Sequence, residues 1–320
     1  MFDSFKSGKI IVILVLCSFP QFIFSQLSGS YTIPGSPFTT IKKAADSLNM
    51  VGVGIGGVTF NVSAGYNENI ITPITITSTG TASNVITFQK SGGGANPLIT
   101  RTDAGSLATT IIGGAGDAVI RIEGSDYITF NGINVSASNQ GIEYGYLTHK
   151  PNGTNGSQNV TITNCTITMT KGTSAYVSGI YIGNGTTSVS SNTGVVVTST
   201  SGINSNIILS GNTIQNVHNG ILSIGSSASG FYDSEIVIGQ SGSGNILQNF
   251  GGVVVSPSYG AYFRYVNNPT TSYNTINNSG GGGTAHLDSL FGVFHSIVSG
   301  NVSVNNNTIS VNNTSTRVTG

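Results

Sequence analysis

The side chains able to do acid–base work are few. Beyond Asp3 the acidic residues are Asp46, Glu68, Asp103, Asp117, Glu123, Asp126, Glu143, Asp233, Glu235 and Asp288. Cleaving a glycosidic bond takes two carboxylates, one acting as acid and the other as base or nucleophile. Asp233 and Glu235 stand two apart in Phe231-Tyr232-Asp233-Ser234-Glu235-Ile236, so a strand would put them on one face. Glu123 and Asp126 flank Gly124-Ser125, a turn where either could instead cap backbone amides. Asp233, Glu235, Glu123 and Asp126 are therefore the catalytic candidates if the chain is an enzyme. For each, a solvated surface carboxylate is the competing reading. Glu143 follows Ile142 and is expected to face outward.

A lyase would need clustered acidic Ca²⁺ ligands and a base. Arg101, Arg121, Arg264 and Arg317 are scattered, and no Lys or Arg neighbours Asp233 and Glu235 in sequence. His149, His218, His286 and His295 lack the spacing of metal ligands, and His286 with Asp288 is an isolated near pair. No cofactor or resident metal is expected. Ca²⁺ held by side chains and loop carbonyls stays open, without an Asp-rich loop to recommend it. Gly92-Gly93-Gly94 and Gly113-Gly114 lack the strand–turn–helix setting and the lysine of a phosphate loop.

These residues must be positioned by a repeat. Asn159-Val160-Thr161-Ile162-Thr163-Asn164-Cys165-Thr166-Ile167 returns as Asn206 to Ile214 and as Asn301 to Ile309. A second phrase occurs as Gly141-Ile142, Gly179-Ile180, Gly220-Ile221, Gly260-Ala261 and Gly292-Val293, each ahead of an apolar ending at Ile167, Ile214, Leu247, Ile276 or Ile309. The order within a unit is strand, variable loop, strand, turn, strand. Insertions are expected in the loop after the Gly-Ile phrase. Such units cannot bury their own faces, and stacking buries them jointly. The pattern predicts an all-β, right-handed parallel β-helix, with Asn side chains laddered at one corner. A β-sandwich tandem and a propeller compete, but propeller blades usually carry aromatic signatures and the chain has no Trp.

The leading 26 residues read as a secretory signal: Lys6 and Lys9, the apolar run Ile10–Cys17, then Ser25-Gln26. Residues 27–57 read as a lead-in strand and a capping helix near 37–49, with Ser36 as N-cap and Pro37 at the first helical position. Residues 58–320 read as the β-helix, which stops without a cap, so further coils or a C-terminal domain are expected beyond Gly320. Without the leader, 9 basic and 10 acidic residues leave a net charge of −1, which argues against nucleic acid as a partner. Cys165 is then the only cysteine, and its expected role is that of a small buried side chain.

The N-terminal half carries a resemblance. Tyr31-Thr32-Ile33, Phe38 to Ile41, Val58-Thr59-Phe60-Asn61-Val62 through Glu68, Ile86 to Gly92 and Gly124 to Ile133 resemble pectin-lyase-like right-handed parallel β-helix domains of large secreted or surface Bacteroidetes proteins. The similarity spans about 29–311, with the later coils fitting as generic repeats. It implies secretion or cell-surface placement and, often, a C-terminal sorting domain. The expectation is a non-enzymatic extracellular scaffold or adhesin-like segment. The alternative is a carbohydrate-active lyase or glycosidase on a polymeric glycan, with Tyr144, Tyr146, Tyr181, Tyr232, Tyr259 and Tyr262 as exposed platforms for sugar faces. A polysaccharide is the partner expected on either reading, and no transmembrane span is expected in the mature form.

Overall fold

The computed structural model describes residues 25–106, 117–172, 176–186, 194–252, 256–282, 286 and 288–313. Nearly all of the predicted leader, Gly113-Gly114 and Arg317 lie outside them. The described chain is an all-β solenoid of three parallel sheets with one short helix. Each coil contributes one strand to sheet 1, turns tightly into sheet 2, crosses to sheet 3, and returns to sheet 1. One such coil is Val160–Thr163, Thr166–Thr168 and Ser178–Ile182. Every strand pair joins successive coils in parallel, consistent with the right-handed coiling that parallel crossovers adopt.

The interior is built of columns. In sheet 1, Phe60, Phe88 and Phe130 stand in register, with ring centroids 4.6 and 5.2 Å apart. In sheet 2, Ile99, Val135, Ile167, Ile214, Leu247, Ile276 and Ile309 form one column. The Asn-Thr-Ile endings therefore share one stack, as their spacing predicts. Ile309 keeps the register but is 44% exposed, because no described strand covers the last coil.

The second phrase exists to receive the first. A Cβ on Gly145 would lie 2.5 Å from Ile167 Cγ2, one on Gly220 would lie 2.6 Å from Leu247 Cδ2, and one on Gly260 would lie 2.6 Å from Ile276 Cγ2. Gly179 and Gly292 meet Ile214 and Ile309 in the same way. Glycine at this point of sheet 3 lets the sheet 2 column press against backbone. The first member of the series is thus Gly145, in register with Gly179 through the Tyr144–Ser178 pair, and not Gly141. Gly141 instead backs onto the Ala104 and Gly105 backbone in a loop. Sequence alone favoured Gly141 because Ile follows it, whereas Tyr146 holds that inner position.

The corner between sheets 1 and 2 carries the expected ladder, with the work divided. Asn212, Asn245 and Asn274 each donate Nδ2 to the next ladder oxygen, on Asn245, Asn274 and Asn307, at 3.1, 2.9 and 3.0 Å. Their Nδ2 groups also bond Ile162, Leu209 and Ile238 carbonyls. The left-handed backbone falls one residue earlier, at Asn164, Gly211, Tyr273 and Asn306. Cys165 occupies the ladder position above Asn212, fully buried, and burial pushes its thiol up to about 11.

Helix α1, Ile41–Val51, lies over the first coil and buries Ile41, Ala44, Ala45 and Leu48. Its N-cap is Thr40, whose Oγ1 accepts from Lys43 N, so it begins four residues later than the Pro37 start expected. Residues 35–38 close a turn instead, with Gly35 N donating to Phe38 O. Glu68 is paired with Ile99, so it occupies the head of the sheet 2 column. Its carboxylate accepts from Ile41 N at 2.7 Å and Lys42 N at 3.0 Å, capping the helix where donors are otherwise orphaned.

Two outcomes follow. Glu68→Ala should lower stability by about 2 kcal/mol through the unpaired buried amides, measured by urea melts. Gly220→Ala should cost at least about 2 kcal/mol by overpacking, whereas Gly93→Ala, with open space around its Cβ and an ordinary backbone, should cost less. Equal losses would show that the glycine column does not receive the sheet 2 side chains.

Candidate functional site

The Asn corner joins sheets 1 and 2 by short links, the longest at 239–245, and the longer connections fall on both sides of sheet 3. Insertions follow the Gly phrase at 183–204 and 225–232, as expected. They also precede it, at 102–117, 169–177 and 278–289, which the repeat reading did not anticipate. The outer face of sheet 3 lies between these two sets of connections, and residues able to do chemistry lie along it and at its edges.

One column on that face runs Arg121, Leu147, Tyr181, Leu222, Tyr262, Phe294. Its five steps span about 24 Å at the spacing of sheet strands. The upstream end is charged. Arg101 Nε and Nη2 hold Asp103 at 2.7 and 2.8 Å, and Nη2 also reaches Asp117 at 3.1 Å. Arg121 lies 3.8 Å from Glu123, both half-buried. Hydrogen bonding to Arg101 holds the Asp103 carboxyl below its ordinary range. Burial lowers Arg121, although Glu123 opposes the effect. Beside them His149 is buried, its Nδ1 has no hydrogen-bond partner, and burial together with Arg121 pushes it down to about 4.

The downstream end is aromatic. Tyr259 and Tyr262 stack at 4.6 Å, Phe291 and Phe294 lie 4.7 Å apart, and Tyr259 stacks on Phe291 at 5.3 Å. Phe291 and Phe294 are half-buried, so the cluster meets solvent at the last coil. Between the two ends Leu147, Tyr181 and Leu222 are buried. This corrects the expectation of a line of exposed tyrosines. Tyr144, Tyr181, Tyr259 and Tyr262 are buried in one apolar cluster, and Tyr146 turns inward, its hydroxyl donating to Ile133 O at 2.6 Å. Tyr232 is half-buried beside Tyr265.

The sequence candidates separate. Glu235 takes a left-handed backbone, φ 54°, which breaks the alternation. Asp233 is wholly buried, and Glu235 stands exposed, accepting from Asn268 Nδ2. Asp233 meets Lys150, 83 residues away, at 2.7 Å. Asp126 accepts from Gln158 N at 2.7 Å, and burial raises its carboxyl. Glu143 is buried, against the outward position expected, just ahead of the strand Tyr144–His149, where its carbonyl accepts from Ser178 N. The clusters that sequence reasoning missed had a signal: Arg101/Asp103 and Arg121/Glu123 are both pairs two apart. Asp117 had none.

The remaining basic groups are structural. His218 Nδ1 accepts from Val177 N and its Nε2 donates to Gly172 O. Lys171 Nζ is held by three oxygens of Asn249 and Gly251. His286 is buried against Gly252, while Asp288 caps Ser289 N. Among the described residues no three His, Cys, Asp or Glu side chains gather as metal ligands, and no helix is long and apolar enough to cross a membrane.

No family model matches the chain, and no curated protein matches it. Solved structures do show likeness. A GH136 lacto-N-biosidase from Eubacterium ramulus aligns at 11% identity and TM-score 0.49 over 85% of this chain and 56% of that one. This chain therefore spans about half the length of that enzyme. A pectin methylesterase from Aspergillus niger aligns at 14% identity and TM-score 0.34, covering 85% and 87% of the two chains. An alginate lyase from Paenibacillus sp. str. FPU-7 aligns at 14% and 0.33, covering 86% and 98%. The likeness is one of fold; the fold itself rests on the strand register above.

Neutral burial of His149 and His218, each pushed down to about 4, makes stability depend on pH. The unfolded chain binds protons near pH 6.5 and the folded one does not. The contribution is full above about pH 6.5 and is lost as pH falls toward 4. Thermal melts should show a falling midpoint across that window. His149→Phe should flatten the slope, and an unchanged slope would refute the assignment.

Proposed function

We propose that this chain is a non-catalytic β-helix scaffold, placed at or outside the cell surface, that engages a polymeric glycan on the outer face of sheet 3. One observation carries the scaffold part: every described carboxylate already serves the structure. Asp46 pairs Lys42, Glu68 caps α1, Asp103 and Asp117 hold Arg101, Glu123 faces Arg121, Asp126 and Asp288 cap amides, Asp233 pairs Lys150, and Glu235 binds Asn268. Glu143 is buried and engaged. The glycan part is supported by the half-buried Phe291 and Phe294 beside Tyr259 and Tyr262, since rings present flat apolar faces to the C–H faces of sugars.

Affinity electrophoresis through neutral and acidic polysaccharides tests this. Phe294→Ala and Phe291→Ala should each weaken retention about threefold to tenfold, as loss of one ring contact predicts, with an unchanged far-UV spectrum. Retention by no glycan, or retention indifferent to both changes, would sink the proposal.

A second reading, a lyase or glycosidase, draws on the group of buried Arg101 and half-buried Asp103, Asp117, Arg121 and Glu123. It gathers two guanidiniums and three carboxylates at one end of the same face. New reducing ends or unsaturated products, abolished by Glu123→Gln or Asp117→Asn, would replace the scaffold reading with this one.

A further inference from the structure

The wall between sheets 3 and 1 contains a contact that none of the above explains. Lys150 and Asp233 are both fully buried, with Nζ 2.7 Å from Oδ1. They belong to different connections, Lys150 directly after Tyr144–His149 and Asp233 at the start of Asp233–Ile238. Asn204, on the connection between them, binds both carboxylate oxygens: its N donates to Oδ1 at 2.8 Å and its Nδ2 to Oδ2 at 2.9 Å. Gly225 leaves room, since a Cβ there would lie 3.0 Å from Asp233 Cγ. The amine, the carboxyl carbon and two N–H donors are thus locked together away from water.

We propose that Lys150 and Asp233 join covalently, forming a side-chain amide between Nζ and Cγ with loss of one water. The balance closes without an oxidant or a co-reactant. A proton passes from the Lys150 ammonium to Oδ1, giving a neutral amine and a carboxylic acid. The amine lone pair attacks Cγ, and the carbonyl electron pair moves onto Oδ2, where Asn204 Nδ2 stabilises it as a preformed oxyanion donor does. A second nitrogen proton moves to Oδ1, the Cγ–Oδ1 bond breaks, and water leaves as Oδ2 returns to a carbonyl. Fixed proximity supplies the orientation that free amines and acids lack. The product also removes two buried charges, whose desolvation an ion pair rarely recovers in full.

Such a bond would tie together three successive crossings from sheet 3 to sheet 1, at Lys150, Asn204 and Asp233. The only free cysteine among the described residues, Cys165, lies in the ladder, so no disulfide performs that task there. The amide would close a long loop and restrict the unfolded chain as a disulfide does.

The test is a proteolytic map by mass spectrometry of the denatured full-length chain and of Lys150→Arg. The wild type should yield a branched peptide joining Lys150 to Asp233, lighter by one water than its two linear parts summed. Lys150→Arg should yield both segments as linear peptides of full mass. Linear peptides bearing free Lys150 and free Asp233 in the wild type would overturn the proposal, leaving a plain buried ion pair. If Lys150→Arg does not fold, the wild-type map decides alone.

Discussion

Parallel stacking is the constraint on which the molecule depends. In a coil of three short strands, no backbone N–H or C=O of a strand finds a partner within the coil, so each coil is satisfied only by its neighbours. This turns sequence similarity between coils into a physical requirement. A side chain that fits badly at one level is felt at the levels on either side. The phenylalanine column, the Ile/Leu column and the asparagine ladder are three expressions of that requirement, in apolar contact and in hydrogen bonds.

The glycine column shows how tightly the cross-section is drawn. Sheets 2 and 3 approach until the branched methyls of one touch the backbone of the other. The interior is therefore thin, and a carboxylate can enter it where a coil meets something other than another coil. Glu68 does so at the first coil, where the space above holds the α1 N-terminus with its unpaired amides. At the last coil nothing described plays that part, and Val302, Val304, Ile309 and Val311 are left exposed.

The same geometry explains why chemistry collects on sheet 3. A corner held by an asparagine ladder takes only short links, the longest at 239–245. The other two corners accept longer ones, and both border sheet 3. The outer face of sheet 3 carries a charged group at one end and an aromatic group at the other. Ionisable residues separated by many tens of positions meet at these corners, as Lys150 and Asp233 do.

The sequence by itself determined the architecture: the recurrence of Asn-Thr-Ile, the spacing of the Gly phrases and the apolar stripe of the helix lead to a capped, stacked β structure. Those signals are periodic, and stacking is what periodicity encodes. It also carried the Arg121/Glu123 pair, since residues two apart share a strand face, and set Asp103 just past the strand that ends at Arg101. Only the tertiary structure decided the phase of the first Gly phrase, the inward turn of Tyr146, the burial of Glu143 and the separation of Asp233 from Glu235. Each depends on a local break, a left-handed residue or a loop folded over a face, and such breaks shift every following side chain without leaving a periodic trace. The partner of Asp233 was least legible of all, because a contact between two non-repeating connections is written nowhere in the repeat.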